Sequence, residues 1–577
     1  MTHAHNDPAC FADELIEGLV AANRSRIVQV DGGVIRRHRA APNSVVMVIG
    51  GGSGHYPAFG GLVGQGLAHG AAMGNVFASP SAEQICAVAQ AVHAGGGILF
   101  CYNNYAGDVL NFDEAQRRLR ALGIDVRTVV VTDDIASAPP TEQHRRRGIA
   151  GSLAVFKAAG WACDSGASLD EVVRIASMAN ERVRTLGVAF SGCTLPGASA
   201  PLFSVEKGRM EVGMGIHGEP GLRSIAAPSA HGLAQQFVTE LLADVPSVVR
   251  TIKGARVAVI LNGLGAVKYE ELFVIYRSVD RLLAERGLTI VEPEVGEMVT
   301  SFDMAGVSLS LVWLDEELER SWTAASDTPA FRKGSVAPSN GELAETALRR
   351  TTRVLKPGSD ASRAAAAVAL EALHDADRVI AAASDELGRL DAVAGDGDHG
   401  IGMQRGLAAA VEAAEQALAA GVGVGTLLVT AGEAWAHRAG GTSGALWGVL
   451  LHQLGDALGD VQAPDGPLVA TGFAAALRGV TESGKAKVGD KTMVDALNPF
   501  ARALAAATAD GRPLRTAWPT AAHAASQAAH ATATLTPKIG RARPHAQRSV
   551  GTPDPGAISM AMILQAVGDV LAKRTCS

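Results

Sequence analysis

The residues Asp391-Ala-Val-Ala-Gly395-Asp396-Gly397-Asp398-His399-Gly400 place three carboxylates within eight positions, two of them flanking one glycine. Like charges this close repel, and a hard cation neutralises such a cluster most directly. Mg²⁺ takes carboxylate and phosphate oxygens and keeps part of its shell for a nucleotide. Glycines let the backbone close tightly around an ion. The same composition also suits a solvated acidic turn, so the loop alone leaves both readings open. A calcium-sensing EF-hand is disfavoured. Its D-x-[DN]-x-[DN]-G pattern starts at Asp396 and Asp398 but meets Gly400 and Ile401 at the fifth and sixth positions.

Three more glycine-bearing polar loops follow. Arg438-Ala-Gly440-Gly441-Thr442-Ser443-Gly444 offers backbone amides and two hydroxyls at a helix start, suited either to phosphate oxygens or to plain helix capping. Gly484-Lys-Ala-Lys-Val-Gly489-Asp490-Lys491-Thr492 imitates a Walker A loop, but Asp490 stands where the lysine belongs and no apolar strand leads in. A P-loop fold is rejected, while Lys491 and Thr492 remain able to contact phosphate or to cap a helix. Gly540-Arg541-Ala and Arg548-Ser-Val-Gly551-Thr-Pro-Asp554-Pro555-Gly556 end in a sharp turn before a last apolar helix. By spacing, Arg541 and Arg548 suit phosphate ligation and surface ion pairing equally. Four such loops between Ala-rich helices are more than an inert bundle needs.

The first half carries different chemistry. An apolar strand runs into Gly50-Gly51-Gly52-Ser53-Gly54-His55-Tyr56-Pro57, where no G-x-G-x-x-G register fits, so a dinucleotide site is disfavoured and a small polar ligand is favoured. Asn103-Asn104-Tyr105-Ala106-Gly107-Asp108 follows a second strand. Asp108 is placed there as a base or as a helix N-cap. Thr132-Asp133-Asp134 sits similarly after a third. Gly213-Met-Gly215-Ile-His217-Gly218-Glu219-Pro-Gly221 packs one histidine among glycines that let a ligand approach. Neutral imidazole is a nucleophile that adds to carbonyls.

The elements that must position these residues differ between the halves. Strand candidates at Ser44–Ile49, Gly97–Cys101, Val126–Val131, Leu186–Phe190, Arg256–Leu261 and Val307–Val312 alternate with helical patterns such as Pro80–His93 and Asp113–Leu122, which predicts α/β layers. Residues 321–342 are polar and Pro/Gly/Ser-containing, the best linker candidate. Beyond it the chain is Ala-rich with helical spacing over 361–383, 403–420, 424–438, 467–481, 492–508, 517–532 and 557–573, which predicts an all-α domain.

At 577 residues the chain exceeds one core. A net charge of −7 and 4% aromatics disfavour nucleic-acid binding. The run Arg145-Arg146-Arg147 reads as a solvated helix end. Six cysteines, at 10, 86, 101, 163, 193 and 576, form no CxxC pair or zinc spacing and suit a reducing compartment. No signal peptide and no membrane-length apolar run is expected, so the location is expected to be cytoplasmic.

Taken in order, GGGSGHYPAFGGLVGQG, NYAGDVLNF, CTLPG, GMGIHGEPG, DAVAGDGDHG, GGTSGALWG, VGDKTMVDALNP and RSVGTPDPGA resemble the signatures of the ATP-dependent dihydroxyacetone kinase family across nearly the whole chain. The resemblance implies an N-terminal α/β ketose-binding K domain over 1–322, a linker over 323–358, and a nucleotide-binding L domain over 359–577 built as a barrel of antiparallel helices. It implies a covalent hemiaminal between the substrate carbonyl and His217, with His55 as general acid and Asp108 as the base on the primary hydroxyl. Gly52, Ser53, Gly54 and Asn103 would line the ketose pocket. Asp391, Asp396 and Asp398 would hold two Mg²⁺ ions on ATP. Gly441, Thr442, Ser443, Thr492, Met493, Arg541, Asp554, Pro555 and Gly556 would contact the nucleotide.

The expected partners are a short ketose and ATP, with no nucleic acid and no membrane, in a homodimer. Two departures stand out: Asn103 replaces a lysine common in the family, and Arg-Pro-His follows Gly540-Arg541-Ala. With erythrulose-phosphorylating relatives in the family, the first departure points to a four-carbon ketose. The same resemblance admits FAD cyclisation to a cyclic flavin nucleotide, a non-enzymatic ketose-binding regulator, and phosphotransfer from a carrier protein. The intact acidic set argues against the regulator and the fused domains against the carrier.

Overall fold

A computed structural model describes all residues except 1–3, 220, 340, 346–354, 396, 541–545 and 574–577. The chain divides into two compact units, Met1–Arg350 and Thr351–Ser577.

The first unit is built on two sheets. In the six-stranded sheet, β1 (Ile27–Val30), β2 (Gly33–Arg36), β3 (Val46–Ser53), β4 (Gly70–Val76), β5 (Ile98–Asn103) and β6 (Val126–Val131) lie in the order β1-β2-β4-β3-β5-β6. The four strands β4, β3, β5 and β6 run parallel. In the second sheet, β7 (Val183–Ala189), β8 (Arg209–Val212), β9 (Arg223–Ala226), β10 (Arg256–Gly263), β11 (Thr289–Ile290), β12 (Glu294–Gly296) and β13 (Gly306–Leu314) give the order β11-β10-β13-β7-β8-β9, with β12 also on β10.

Helices cover every face. Beyond α1 (Phe11–Ala22), α2 (Ala82–Val92) and α3 (Ala106–Ala121) take one side of the first sheet. Between the sheets lie α4 (Ser152–Asp164) and α5 (Leu169–Glu181), while α6 (Ala230–Ala243) and α7 (Tyr269–Glu285) close the far side of the second. Strand β3 is buried at all eight positions for this reason: Val46 and Val48 face one layer, Met47 and Ile49 the other.

The expected linker begins folded. After α8 (Glu316–Thr323), Ser326–Asp327 pairs with Arg332–Lys333, and Phe331 and Ala344 are buried in the first unit. The Thr328 hydroxyl donates to Gly61 O at 2.8 Å. Polar composition concealed this segment because its backbone is satisfied by the neighbouring chain rather than by water.

The second unit contains, among the described residues, eight long helices: α9 (Asp360–Ala392), α10 (His399–Ala419), α11 (Val424–Ala439), α12 (Gly441–Leu458), α13 (Gly466–Gly484), α14 (Val494–Ala509), α15 (Leu514–Ala531) and, after the short α16 (Ala546–Ser549), α17 (Pro555–Lys573). Each long helix packs on the next and α17 returns to α9, which closes a barrel. Small residues set the spacing: a Cβ on Gly425 would lie 2.7 Å from Gly455 O across α11 and α12. The interior holds an apolar cavity of about 310 Å³ whose lining includes Trp435, Trp447 and Trp518. Trp435 and Trp447 stack at 4.6 Å between centroids and 6° between planes.

Helix α17, against expectation, is long and apolar enough to cross a membrane. Its Met560, Ile563 and Leu564 are buried in the helical core, and a helix packed on two neighbours needs more than one apolar face.

Candidate functional site

The parallel strands of the first sheet deliver their carboxyl ends to one place. Ser53, Gly54 and His55 come from the end of β3, Phe77 from β4, Asn103 and Tyr105 from β5, and Asp133 and Asp134 from β6. This is where open parallel sheets bind ligands. The loop between β8 and β9 brings His217.

His55 Nε2 meets His217 Nε2 at 3.0 Å. His55 Nδ1 donates to the carbonyl of Thr300 at 2.7 Å. His217 Nδ1 lies 3.3 Å from Glu219 Oε1, and the His217 backbone N–H donates to Glu219 Oε2 at 3.1 Å. Phe77 stacks on His55 at 4.9 Å and 15°, while Tyr105 packs edge-on against His217 at 4.5 Å. Both imidazoles are buried, at 1% and 5% exposure.

Asp108 lies in the first turn of α3, one turn beyond Tyr105, and is buried. Tyr105 holds the N-cap position, so Asp108 is not the cap. The Ser53 hydroxyl donates to Gly74 O at 2.7 Å, and a Cβ on Gly52 would lie 2.7 Å from Ala78 N, so that loop is shaped by close backbone packing. Asn103 is 3% exposed, and neither its amide oxygen nor its amide nitrogen has a hydrogen-bond partner among the described residues.

The basic run corrects an expectation. Arg146 is fully buried and pairs with Asp244 at 2.5 Å, and Arg147 pairs with Asp134 at 2.8 Å. Buried carboxylates draw these two inward, and only Arg145 keeps its solvated place. Asp133 turns its carboxylate to the backbone at the start of α4. Its carboxylate accepts from Ile149 N and Gly151 N, both at 2.8 Å, and burial pushes its pKa up to about 6.

The second unit assembles helix N-termini. His399, at the start of α10, contacts Ser559 Oγ of α17 at 2.9 Å and Ser443 Oγ of α12 at 3.5 Å. A Cβ on Gly556 would lie 3.7 Å from Met493, which precedes α14. Four helix starts therefore converge, and the positive ends of their dipoles suit phosphate. Gly440 and Gly441 both have φ near +60°, the left-handed conformation that lets α11 end and α12 begin without a linker.

Asp391 Oδ2 accepts the N–H of Gly397 at 2.9 Å, which folds the acidic loop back on α9. Asp398 is the residue before α10, and Asp396 lies outside the described residues, as does Arg541. Asp554 Oδ1 caps α17 through Ala557 N at 2.7 Å. Burial raises the Asp554 pKa to about 7, opposed by that bond and reinforced by the negative charge of Asp391.

No group of three His, Cys, Asp or Glu side chains converges as a cage among the described residues. Mg²⁺ needs only one or two protein carboxylates when phosphate and water complete its shell, and the donors here are all oxygen, so the set fits that ion. The Lys491 ammonium donates to Leu535 O at 3.2 Å and Ser549 O at 2.6 Å, stapling the following loop. Thr492 Oγ1 accepts from Val494 N at 3.2 Å, a helix cap.

Sequence reasoning missed Glu219, Arg147, Thr300 and His399. Glu219 and His399 stood inside quoted motifs and Arg147 in the basic run, each without a role assigned; Thr300 is brought in only by tertiary folding.

An α/β unit with a buried imidazole pair, joined to a helical barrel with converging helix starts and an acidic loop, is the architecture of a two-domain kinase. The Dak1 domain family matches residues 17–330 and the DAK2 domain family residues 393–569. The chain is 58% identical to the L-erythrulose kinase of Pectobacterium atrosepticum over 100% of this chain and 98% of that one. It is 51% identical to the D-erythrulose kinase of Mycolicibacterium smegmatis over 100% and 99%. The crystal structure of the dihydroxyacetone kinase from C. freundii in complex with AMP-PNP and Mg²⁺ aligns with a TM-score of 0.52 at 29% identity, covering 98% of this chain and 99% of that one. The chain belongs to the dihydroxyacetone kinase family.

Proposed function

We propose that this chain is an ATP-dependent kinase acting on the primary hydroxyl of a short ketose, with the four-carbon erythrulose as its preferred substrate. The observation that carries the reading is the Nε2-to-Nε2 contact of His55 and His217 at 3.0 Å, a nucleophile and a proton donor together at the carboxyl ends of a parallel sheet. His217 Nε2 adds to the ketone carbonyl carbon, and His55 protonates the oxygen as it becomes a hydroxyl. Polyols without a carbonyl are thereby rejected. Asp108 takes the proton of the primary hydroxyl, which attacks the γ-phosphorus of ATP in line. Gly441, Thr442 and Ser443 at the start of α12, Thr492 and Met493 before α14, and Asp554, Pro555 and Gly556 at the start of α17 cradle the nucleotide. Asp391, Asp396 and Asp398 would hold Mg²⁺, which when bound neutralises phosphate charge.

Asn103 supports the four-carbon preference. A buried carboxamide left unpaired costs about 1–3 kcal/mol, and a substrate hydroxyl relieves it. The full-length relatives are named for both hands of erythrulose. The test is steady-state kinetics with Mg²⁺-ATP and D-erythrulose, L-erythrulose, dihydroxyacetone or glycerol. One erythrulose enantiomer is expected to exceed dihydroxyacetone about tenfold in kcat/KM, glycerol is expected to be inert, and Asn103→Lys to reverse much of that ratio. A clear preference for dihydroxyacetone would sink the four-carbon assignment. No ADP release with any ketose would sink the kinase.

A further inference from the structure

The proton inventory of the imidazole pair gives Glu219 a part in the chemistry. The carbonyl oxygen of Thr300 can only accept, so His55 Nδ1 carries a hydrogen. An ionised carboxylate can only accept, so His217 Nδ1 carries one as well. The two remaining nitrogens face each other at 3.0 Å, a contact that needs one proton between them. Four nitrogens thus hold three protons, and the pair bears one positive charge.

Glu219 is built to remain ionised beside it. The Arg147 guanidinium lies 3.8 Å from Glu219 Oε2 and is itself fixed by Asp134 and by Gly213 O at 3.1 Å. Gly215 leaves room for that meeting, since a Cβ there would lie 2.6 Å from the Arg147 guanidinium and collide with the Glu219 carboxylate. Among the described residues, the charged or titratable groups around the pair also include Tyr105 at the start of α3, Asp108 one turn on, and Cys193 with Asp303 near Glu219. Burial pushes the Cys193 thiol up to about 12, which keeps it neutral.

We infer that Glu219 is a positioning residue that fixes the His217 Nδ1–H tautomer and receives the positive charge that develops on His217 when the ketone adds. The inference rests on the ketose-trapping reading above. Before addition the bridging proton sits on His55, which is then an imidazolium, and His217 Nε2 presents its lone pair. That pair forms the bond to the carbonyl carbon. The C=O π electrons move to oxygen, which takes the proton from His55 Nε2. His55 ends neutral and His217 ends as an N-alkylated imidazolium whose Nδ1–H faces Glu219. The net charge is unchanged and has moved from the Thr300 end of the chain to the Glu219 end, 3.3 Å from a carboxylate. Arg147 holds that carboxylate in register.

The test compares the full-length enzyme with Glu219→Gln, which keeps an acceptor but removes the charge, and Glu219→Asp, which keeps the charge. Imidazole ¹⁵N spectra without ketose should place the hydrogen on His217 Nδ1 in the wild type. In Glu219→Gln the basic limb of the kcat/KM profile for erythrulose should move down by about one pH unit, because the singly protonated pair loses its stabilising anion. The KM for ketose should rise about tenfold with the KM for ATP unchanged. Glu219→Asp should return the limb toward wild type. An unmoved limb in Glu219→Gln, or a His217 hydrogen on Nε2 in the wild type, overturns the inference while ketose phosphorylation continues. Absence of a carbinol carbon signal from [2-¹³C]erythrulose with the wild-type enzyme overturns the trapping reading and this inference together.

Discussion

The two units build their candidate sites from opposite materials. In the first, side chains 162 positions apart lock onto each other, and their chemistry depends on which nitrogen holds which proton. In the second, backbone amides at helix starts and a folded acidic loop present fixed dipoles and oxygen donors. Covalent trapping needs one lone pair at one atom, which only a side chain in a defined protonation state supplies. Phosphate binding needs a field, which several helix starts supply jointly. On the proposed reading, the first site is fragile to single substitutions and to pH, and the second depends more on its charge balance.

The largest effect should come from His217→Ala, which removes the proposed nucleophile. We expect kcat/KM for erythrulose to fall by about a thousandfold or more, with nucleotide affinity unchanged by calorimetry. Retained turnover would break the contrast, because the first site would then not rest on one atom.

Asp391→Ala should act in the other unit. Nucleotide affinity measured with Mg²⁺ is expected to fall at least about tenfold, while ketose affinity stays within experimental error. Unchanged nucleotide binding would remove Asp391 from the proposed ion site.

The smallest effect concerns His69, a histidine of the first unit outside the site. Its Nδ1 accepts the Met47 N–H at 3.1 Å, and its Nε2 faces Asp164 Oδ1 at 3.4 Å. Burial, aided by the Arg36 charge, lowers its pKa to about 3 despite Asp164. The Met47 bond fits this direction, since it uses the Nδ1 lone pair of a neutral ring. Between about 3 and the ordinary value of 6.5, the unfolded chain binds a proton the folded one refuses, so stability falls as the pH drops through that window. The slope is at most about 1.4 kcal/mol per pH unit. Denaturant titrations at pH 7 and 5 should show His69→Gln losing less stability than wild type over that step. Equal losses would mean that other groups set the acid response.

Much of this was legible in the sequence. The strands β3, β5, β6, β7, β10 and β13 were expected because buried β-branched runs leave a plain pattern. The strands β1, β2, β8 and β9 were not, because four residues are too few to show a period. The all-α second unit followed from Ala-rich spacing and its barrel from the family resemblance, whereas the folding of 326–333 onto the first unit did not follow from its polar residues. His55 and His217 drew notice through their glycines. That their imidazoles touch, that Glu219 stands behind one of them, and that Arg147 turns inward depend on contacts between distant segments, which local spacing cannot express.

The stacked Trp435 and Trp447 have an optical consequence. Two indoles 4.6 Å apart with nearly parallel planes should couple their transitions and give a circular-dichroism couplet that no isolated tryptophan produces. Trp161, Trp313 and Trp322 lie in the other unit, so the couplet belongs to the barrel alone. Trp447 follows Gly441 by six residues, about 9 Å along α12. The chain thus carries a built-in, label-free gauge of the barrel, placed beside the proposed nucleotide site.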